Sequence, residues 1–307
     1  MRYDLIIIGS GAAGLSAAIY AKRYTLQTLV IEGDFGGETA TAGLIENYPG
    51  FKEIDGYELV KNMREQAKAT GAIFQSGWAK TIEKKEDFFI VKTEDKEFEG
   101  RSVVLAIGAK RRHLGLANET ELTGKGLHYC VTCDGPLYSK KTIAMVGGGD
   151  SSVKGVNFLA EYAEKIYFIT REKEITAEPA NYGRMEKLIG TKIEILKETE
   201  IKELVGGKKL EKVKLSKTHH DSDELALDGM FIEVGFDPDI TFAKQLGIEL
   251  DEKGYMKTDV MTRTNVPGVF VAGDSTNHFG GFKQDITAAA LGSVAATATY
   301  EYLKNNN

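Results

Sequence analysis

The sequence comprises 307 residues, of which 42% are hydrophobic and 27% are charged, and its formal net charge is −6. This length predicts about two domains, and the acidic balance argues against a nucleic-acid binder, which would normally present a basic face. No apolar run approaches the roughly 20 residues that span a bilayer, so no membrane association is predicted. Only two cysteines occur. Such sparing use of cysteine fits a reducing compartment, and a cytoplasmic location is expected.

A glycine-rich loop follows the first predicted strand, Leu5–Ile8, and precedes a helix rich in small residues. The loop reads Gly9-Ser10-Gly11-Ala12-Ala13-Gly14. The first glycine would make the tight turn, the second would let the backbone approach a pyrophosphate, and the third would let the helix pack on the strand. The next strand ends at Glu32, about 20 residues on, where a carboxylate can accept a hydrogen bond from a ribose hydroxyl. The segment predicts a dinucleotide site with its pyrophosphate at the helix N-terminus.

The following segment is predicted to complete the same domain. Residues 57–70 predict an amphipathic helix, and residues 72–92 predict the short strands of a β meander. A buried strand over residues 102–107 ends at Gly108.

Both cysteines of the chain occur together, as Cys130-Val131-Thr132-Cys133, and Asp134 follows. A Cys-x-x-Cys loop can close and open with little backbone movement, and its environment lowers the pKa of a thiol. A zinc site would need about four ligands, and His219 and His220 are interpreted as part of a solvated hairpin. A structural disulfide across so small a loop would stabilise little. Dithiol–disulfide redox chemistry is therefore predicted, and no metal site.

The nucleotide-binding pattern occurs a second time, directly after the cysteine pair. The loop Gly147-Gly148-Gly149-Asp150-Ser151-Ser152 follows a predicted strand and precedes a helix, and the next strand ends at Thr170-Arg171-Glu172. Ser152 replaces the third glycine and is still small enough for close packing. Two dinucleotide units predict a flavin in the first, a nicotinamide in the second, and a dithiol that exchanges electrons with the flavin.

The last part of the chain returns to the strand-and-loop pattern. A buried strand over residues 268–273 ends at Asp274, and a long Ala-rich helix is predicted from about residue 285 to residue 303. The carboxyl end of a strand is where open α/β sheets bind their ligands, which makes Asp274 a candidate ligand-binding residue.

Together these motifs resemble the low-molecular-weight thioredoxin reductases, flavoproteins with two dinucleotide-binding domains. The resemblance covers nearly the whole chain and is carried by the two glycine loops and by the segments 46–51, 130–135 and 266–274. It implies an α/β fold of two Rossmann-like, three-layer ββα domains. An NAD(P)H-binding domain (residues 117–239) would be inserted into a discontinuous FAD-binding domain (residues 1–116 and 240–307). It also implies a homodimer.

The resemblance further implies the activity and the site residues. Electrons from NADPH or NADH would pass through FAD and the Cys130–Cys133 disulfide to thioredoxin or a similar small protein. Cys133 would be the sulfur nearest the flavin, Cys130 would attack the partner disulfide, and Asp134 would manage the thiol protons. Further residues are expected to bind the cofactors: Gly9, Ser10, Gly11, Ala12, Ala13, Gly14, Glu32, Gly37, Glu38, Thr39, Asn47, Gly108, Asp274, Lys283, Gln284 and Asp285 for FAD, and Gly147, Gly149, Asp150, Ser151 and Arg171 for the nicotinamide dinucleotide.

The chain departs from the family pattern at the expected nicotinamide site. NADPH-dependent members carry a His-Arg-Arg run where this sequence has Thr170-Arg171-Glu172. Arginine pairs bidentately with a 2′-phosphate, whereas Glu172 would repel it. NADH is therefore an alternative donor, and so is a non-nicotinamide donor such as ferredoxin or a reduced deazaflavin.

Other departures concern the flavin. Glu38 and Asp285 stand where the family usually has uncharged residues, and their carboxylates would disfavour an anionic reduced flavin unless they are paired. Two further functions stay open: a flavoprotein ferredoxin reductase, against which the cysteine pair argues, and a flavin-binding module without turnover.

Overall fold

The computed structural model describes residues 2–306, and the chain divides into two compact units. The first unit comprises the chain up to Lys110 together with the chain from Pro238 onward, and the inserted unit is Arg111–Asp237. No helix within the described residues is both long enough and apolar enough to cross a membrane.

The helices and strands fall into three stretches of the chain. The first stretch contains β1 Arg2–Tyr3, β2 Leu5–Ile8, α1 Ala12–Arg23, β3 Thr28–Glu32, β4 Leu44–Ile45, β5 Ile54–Asp55, α2 Gly56–Ala69, β6 Ile73–Ser76, β7 Thr81–Lys84, β8 Phe89–Lys92, β9 Glu97–Gly100, β10 Val103–Leu105 and β11 Ala109–Arg111. The second contains α3 Glu119–Leu122, β12 Leu127–His128, α4 Val131–Asp134, β13 Thr142–Gly147, α5 Asp150–Leu159, β14 Lys165–Ile169, α6 Pro179–Glu186, β15 Ile193–Leu196, β16 Ile201–Val205, β17 Lys212–His219, β18 Ser222–Ala226, β19 Gly229–Glu233 and β20 Phe236–Pro238. The third contains α7 Ala243–Leu246, β21 Val269–Val271 and α8 Asp285–Asn305. Short 3₁₀ helices span Gly37–Thr41 and Gly135–Tyr138.

The first unit has three layers around a parallel sheet in the order β21-β10-β2-β3-β6. Side chains of β2 alternate between its faces, as strand geometry requires. Leu5 and Ile7 pack in one buried cluster with residues of α1 and α8, while Ile6 and Ile8 pack in another with Phe89 of the sheet β1-β9-β8-β7. The parallel sheet is therefore the middle layer, between helices and a second sheet.

The inserted unit repeats this arrangement on the sheet β12-β19-β13-β14-β15. Ile143 and Met145 of β13 pack against α5, whereas Ala144 packs in a cluster with Val213 of the antiparallel sheet β16-β17-β18. Both units are therefore of the three-layer ββα type, and the predicted fold class is confirmed.

Two predicted elements differ from the observed ones. The segment 72–92 is not a single meander, because β6 pairs in parallel with β3 as the edge of the parallel sheet, and the meander is β7–β9. The last helix extends to Asn305. The strands in this segment are short and similar in composition, so their sequences do not show which of the two sheets each strand joins.

Candidate functional site

The carboxyl ends of the central strands in the first unit meet at one edge of the sheet. Ile8, Ile31, Leu105 and Val271 are aligned across β2, β3, β10 and β21. The predicted glycine loop, Glu32, Gly108 and Asp274 follow these positions, so the parallel register brings them to the same edge of the sheet.

Two glycines of the first loop are required by the protein's own backbone. Gly9 has φ +106°, and a Cβ there would lie 2.1 Å from the carbonyl oxygen of Ala106. A Cβ on Gly14 would lie 2.0 Å from the oxygen of Gly9. Both distances are far below van der Waals contact, so these positions fix the turn and the packing of α1.

Gly11 has a different environment. The nearest heavy atom to a Cβ on Gly11 would be the oxygen of Gly36, at the ordinary contact distance of 3.7 Å, so the protein's own packing leaves room for a side chain here. Gly11 is also the N-cap of α1, whose first turn contains no acidic residue. Free backbone N–H groups at a helix N-terminus favour an anion, and Ala12 and Ala13 add little bulk. This cradle fits the pyrophosphate of a dinucleotide.

Unlike Gly11, Ser10 is held by hydrogen bonds to the protein's own backbone. Its side chain is buried, its hydroxyl donates to the oxygen of Asp34 at 3.3 Å, and it accepts from the N–H of Gly36 at 3.4 Å. Ser10 thus ties the glycine loop to the segment that precedes the 3₁₀ helix.

Glu32 is buried and held by an arginine that the sequence did not indicate. Its carboxylate accepts from Nη2 and Nε of Arg64 at 2.7 and 3.0 Å. The Arg64 guanidinium also lies 4.8 Å from the ring centroid of Phe74. Arg64 lies on α2, and no spacing rule links a residue of that helix to the end of β3. The paired carboxylate still has lone pairs for a ribose hydroxyl.

The predicted flavin residues before and after the insertion are brought together at the start of α8. The Thr39 hydroxyl donates to Oδ1 of Asp285 at 2.5 Å, and the Asn47 amide donates to Oε1 of Gln284 at 3.1 Å. Gln284 caps α8. Asp285 is therefore paired locally. The side chain of Glu38 is exposed to solvent.

Asp274 and Lys283 are both half-buried, and burial shifts their pKa values in opposite directions. Burial raises the pKa of Asp274 to about 6, against the opposing charge of Lys283 and with added repulsion from Asp285 and Glu38. Burial lowers the pKa of Lys283, although the charge of Asp274 opposes this. The Lys283 ammonium donates to the carbonyl oxygens of Thr276 and His278 at 2.7 and 2.9 Å. The lysine therefore holds the loop after Asp274.

Replacing Asp274 by asparagine is expected to stabilise the protein above pH 6 and to change little near pH 4. The folded-state pKa of about 6 exceeds the ordinary value of 3.8, so the stability that the protonated carboxyl contributes is lost as the pH rises through about 6. The difference between the two pKa values corresponds to about 3 kcal/mol of unfolding free energy, which D274N should gain above pH 6. Urea denaturation at pH 4 and pH 8 measures it, with the exposed Asp87→Asn as control. An equal effect of D274N at both pH values would contradict the assignment.

The cysteine pair forms a disulfide at the start of a short helix in the inserted unit. Cys130 and Cys133 are bonded, with their Cα atoms 5.3 Å apart. Cys130 is the N-cap of α4, and its Sγ accepts from the N–H of Cys133 at 3.2 Å. A backbone donor at this position would stabilise a thiolate on Cys130 after reduction. Cys133 is the more exposed of the two residues.

Asp134 contacts a buried histidine. Its Oδ2 lies 2.8 Å from Nδ1 of His128, which is 5% exposed. No sequence motif singled out His128, and the only available signal was its position two residues before Cys130. A buried histidine in a strand cannot be distinguished by pattern from one that only packs.

The second glycine loop also contains one glycine at which a side chain would clash with the backbone and one at which a side chain would meet only open space. A Cβ on Gly147 would lie 2.3 Å from the oxygen of Glu233, whereas a Cβ on Gly149 would meet nothing within 4 Å. Gly149 is the N-cap of α5. This loop therefore offers a second anion cradle, which fits the second predicted dinucleotide.

Asp150 has a role that the sequence did not predict. Its Oδ1 accepts from the N–H of Glu178 and the amide of Asn181, both at 2.9 Å, and Lys154 lies 3.3 Å from Oδ2. Burial raises the pKa of Asp150, but these contacts outweigh burial and lower it. Asp150 thus fastens the start of α6 to the glycine loop, while the neighbouring Ser151 is exposed.

The end of β14 lies against this same loop. A Cβ on Gly148 would lie 2.5 Å from Oγ1 of Thr170 and 3.5 Å from Cγ of Glu172, and the N–H of Thr176 donates to the oxygen of Gly148 at 2.8 Å. Nε of Arg171 lies 3.0 Å from the carboxylate of Glu172. The one basic side chain expected to bind a 2′-phosphate is therefore paired with a neighbouring acid.

The histidine pair lies in a hairpin, as expected, but only one of the two side chains is solvated. His219 ends β17 and packs edge-on against Tyr167, with its Nε2 3.1 Å from Oε1 of Glu194. Nε2 of the exposed His220 lies 3.6 Å from the same oxygen. The other oxygen of Glu194 accepts from Lys165 at 2.6 Å, and this ammonium would oppose a bound cation.

Comparison with known proteins yields one consistent group. The family model described as pyridine nucleotide-disulphide oxidoreductase matches residues 3–294. The thioredoxin reductase of Listeria innocua is 38% identical over 98% of this chain and 94% of its own length. The structure of Lactococcus lactis thioredoxin reductase in the FR conformation has a TM-score of 0.92 at 35% identity and covers 99% of both chains. That of T. acidophilum thioredoxin reductase has a TM-score of 0.90 at 36% identity and covers 98% of both.

Proposed function

The chain belongs to the pyridine nucleotide-disulphide oxidoreductase family as a low-molecular-weight thioredoxin reductase, and on this premise we propose how its own residues carry the reaction. It is an FAD-dependent enzyme that transfers electrons from a reduced nicotinamide to the disulfide of thioredoxin. The single observation that carries this function is the Cys130–Cys133 disulfide next to Asp134, in a chain with two open glycine cradles.

The first unit is the proposed FAD domain and the inserted unit the proposed nicotinamide domain. FAD, when bound, supplies the carrier that takes two electrons from a nicotinamide and delivers them to a disulfide. The room that the protein's own packing leaves over Gly11, together with the N–H groups at the start of α1, supports a pyrophosphate at that helix. Glu32, oriented by Arg64, would accept a hydrogen bond from the ribose, and Thr39, Asn47 and the Lys283–Asp285 segment would hold the flavin.

The inserted unit carries the thiol chemistry. Cys130 is the proposed attacking sulfur, because the N–H of Cys133 lies 3.2 Å from its Sγ and stabilises a thiolate there. Cys133 then resolves the mixed disulfide. Asp134 takes and returns the thiol protons. The proposed partners are a small thioredoxin-like protein and a second copy of this chain, in the cytoplasm that the sparing use of cysteine indicates.

For the electron donor we propose NADH in preference to NADPH. Glu172 lies beside the second glycine loop, where its carboxylate would accept from a ribose hydroxyl and repel a 2′-phosphate. Arg171 is paired with Glu172, so its charge is partly neutralised. Exposed ion pairs of this kind contribute little stability. Arg171 can therefore still reach a bound dinucleotide, and the preference for NADH comes from the negative charge of Glu172.

Replacing Glu172 by arginine is expected to lower the KM for NADPH by about tenfold or more relative to that for NADH. The change removes a repulsive charge and adds a charge-assisted hydrogen bond to phosphate, and tenfold corresponds to about 1.4 kcal/mol. Anaerobic stopped-flow bleaching of the flavin measures both donors. The control is Glu174→Arg, which makes the same charge change two residues on, where the native carboxylate pairs with Lys197. Tighter use of NADPH than NADH by the native protein would contradict the proposal.

The same bleaching experiment, extended with thioredoxin, tests the function as a whole. A nicotinamide that bleaches the flavin, followed by reduction of the thioredoxin disulfide, is the expected result. If neither nicotinamide bleaches the flavin, NADH is excluded as the donor, and ferredoxin or a reduced deazaflavin takes its place in the proposal. Bleaching without subsequent reduction of thioredoxin would exclude thioredoxin as the substrate.

A further inference from the structure

The ring of His128 is held in one orientation by two aromatic side chains. His128 ends β12, is 5% exposed and is aligned with Phe231 of β19. The Phe231 ring stacks on the imidazole with centroids 5.3 Å apart, and Tyr138 contacts it edge-on, also at 5.3 Å. With one face stacked on Phe231 and Tyr138 against the ring, its two nitrogens point in fixed directions.

One of these nitrogens, Nδ1, faces Asp134. It lies 2.8 Å from Oδ2, yet it is buried and makes no hydrogen bond within the described residues. An oxygen this close without a hydrogen bond must lie off the direction of the ring N–H. A buried polar atom left unpaired is unfavourable. A small rotation of the Asp134 side chain, which is 34% exposed, would satisfy it.

The other nitrogen, Nε2, faces a group that suits either protonation state of the ring. It lies 2.6 Å from the Tyr138 hydroxyl. A tyrosine hydroxyl can donate to a bare ring nitrogen or accept from a protonated one. Burial, and then the charges of Asp134 and Asp228, raise the pKa of Tyr138, so the phenol stays protonated. The imidazole can therefore gain and lose a proton without losing its partner.

We propose that His128 is a positioning residue that holds the proton which Asp134 exchanges with the cysteine pair, a role that rests on the proposed function. A carboxylic acid with the ordinary aspartate pKa of about 3.9 is almost fully ionised at neutral pH, so by itself it would release a proton taken from a thiol. An imidazole is the side chain that ordinarily titrates between about pH 5 and 8. His128 thus gives the proton that Asp134 accepts a second site beside it.

The thiol exchange balances in protons and electrons. As Cys130 attacks, its S–H bond breaks, the proton passes to Asp134 and on to His128, and the sulfur electron pair forms the mixed disulfide. The electron pair of the broken partner S–S bond leaves on the first partner sulfur, which takes the proton that His128 returns through Asp134. Cys133 attacks Cys130 in the same way, and the second partner sulfur leaves and takes the second proton. Two electrons and two protons move from the dithiol to the partner.

Three other titratable groups face this cluster. Asp134 lies on α4, Tyr138 lies on the following 3₁₀ helix, and Asp228 precedes β19 and accepts from the N–H of Thr142 at 2.9 Å. Carboxylates ordinarily titrate below pH 5, and the Tyr138 phenol titrates above its usual range. The reduced thiols also ionise, so the ionisation assigned to His128 is the one that the native profile shows and the His128 variants lack.

The test is the pH profile of thiol reactivity in the flavin-loaded protein. The protein is reduced with dithiothreitol and desalted anaerobically, and alkylation by iodoacetamide is followed from pH 5 to 9. His128→Phe is expected to lower the rate at pH 7 about tenfold, less than the roughly 10²–10⁴-fold of direct general acid–base catalysis because His128 acts through Asp134, and to remove one ionisation from the profile while that of the thiols remains. His128→Asn, which keeps a donor near Nδ1 but cannot titrate, is expected to lose the same ionisation.

His113→Phe is the matched control, since this exposed histidine also contacts a tyrosine, with Nδ1 2.8 Å from the Tyr129 hydroxyl. Its profile should match the native one. A His128→Phe profile of native shape would show a structural role only and overturn the proposal. Where His128→Phe loses its flavin or fails to fold, the His128→Asn profile decides in the same way. A native protein with the His128-dependent profile that does not reduce thioredoxin would refute the proposed function and leave this inference standing.

Discussion

A Cys130→Ser variant is expected to lose reduction of thioredoxin by at least about 10³-fold, while a donor still bleaches its flavin. Removing the nucleophile of a covalent mechanism has effects of this size or larger. The flavin is reduced before the disulfide is used, so its bleaching by the donor does not need Cys130. Stopped-flow absorbance of the flavin and turnover with thioredoxin separate the two steps in one sample.

The partner variant Cys133→Ser distinguishes the roles of the two sulfurs. With Cys130 intact and no resolving thiol, it should accumulate a covalent mixed disulfide with thioredoxin, seen as the summed mass of the two proteins. Cys130→Ser should form no such adduct. The reverse outcome would exchange the two assignments, and native turnover by C130S would remove Cys130 from the mechanism.

Local patterns were sufficient to predict the two nucleotide units. A short apolar strand, a glycine loop and a helix are adjacent in the chain, and the constraint on Gly14 arises within the loop itself, from the oxygen of Gly9. The constraints on Gly9 and Gly147 come from Ala106 and Glu233, which follow or end neighbouring strands of the sheet. The spacing to Glu32 is set by one strand and one helix. The order of strand, glycine loop and helix, and the acidic residue that follows, are set within about 30 residues of the chain. A sequence motif of that length is sufficient to predict them.

The side chains that complete each site could not be predicted in this way. Arg64 reaches Glu32 from a helix that follows a long loop, and Asn181 reaches Asp150 from beyond the next strand. These contacts depend on how helices pack on the sheet, for which the chain carries no spacing rule. His128 is adjacent to the cysteine pair, but its role depends on Phe231 and Tyr138, which only the folded sheet places around it.

The contact between α1 and α8 provides the stability prediction with the largest effect. A Cβ on Gly292 of α8 would lie 2.0 Å from the oxygen of Ala13 and 2.8 Å from its carbonyl carbon. The two helices therefore meet backbone to backbone. Ala13 belongs to the first turn of α1, where the proposed pyrophosphate binds, so any displacement at this contact also moves the flavin cradle.

Gly292→Ala is expected to destabilise the first unit by about 3 kcal/mol or more, since overpacking against rigid backbone cannot be relieved by a rotamer change, and to weaken retention of FAD. Gly183→Ala is the matched control, because Gly183 lies in α6 with nothing within 4 Å of its Cβ position. That change should stabilise the inserted unit by about 1 kcal/mol through helix propensity. Fluorescence of Trp78, the single tryptophan, follows urea unfolding of the first unit, and circular dichroism follows both units. Since the same Gly→Ala change should have opposite signs at the two sites, a G292A variant as stable as the native protein would show that α1 and α8 do not pack this closely.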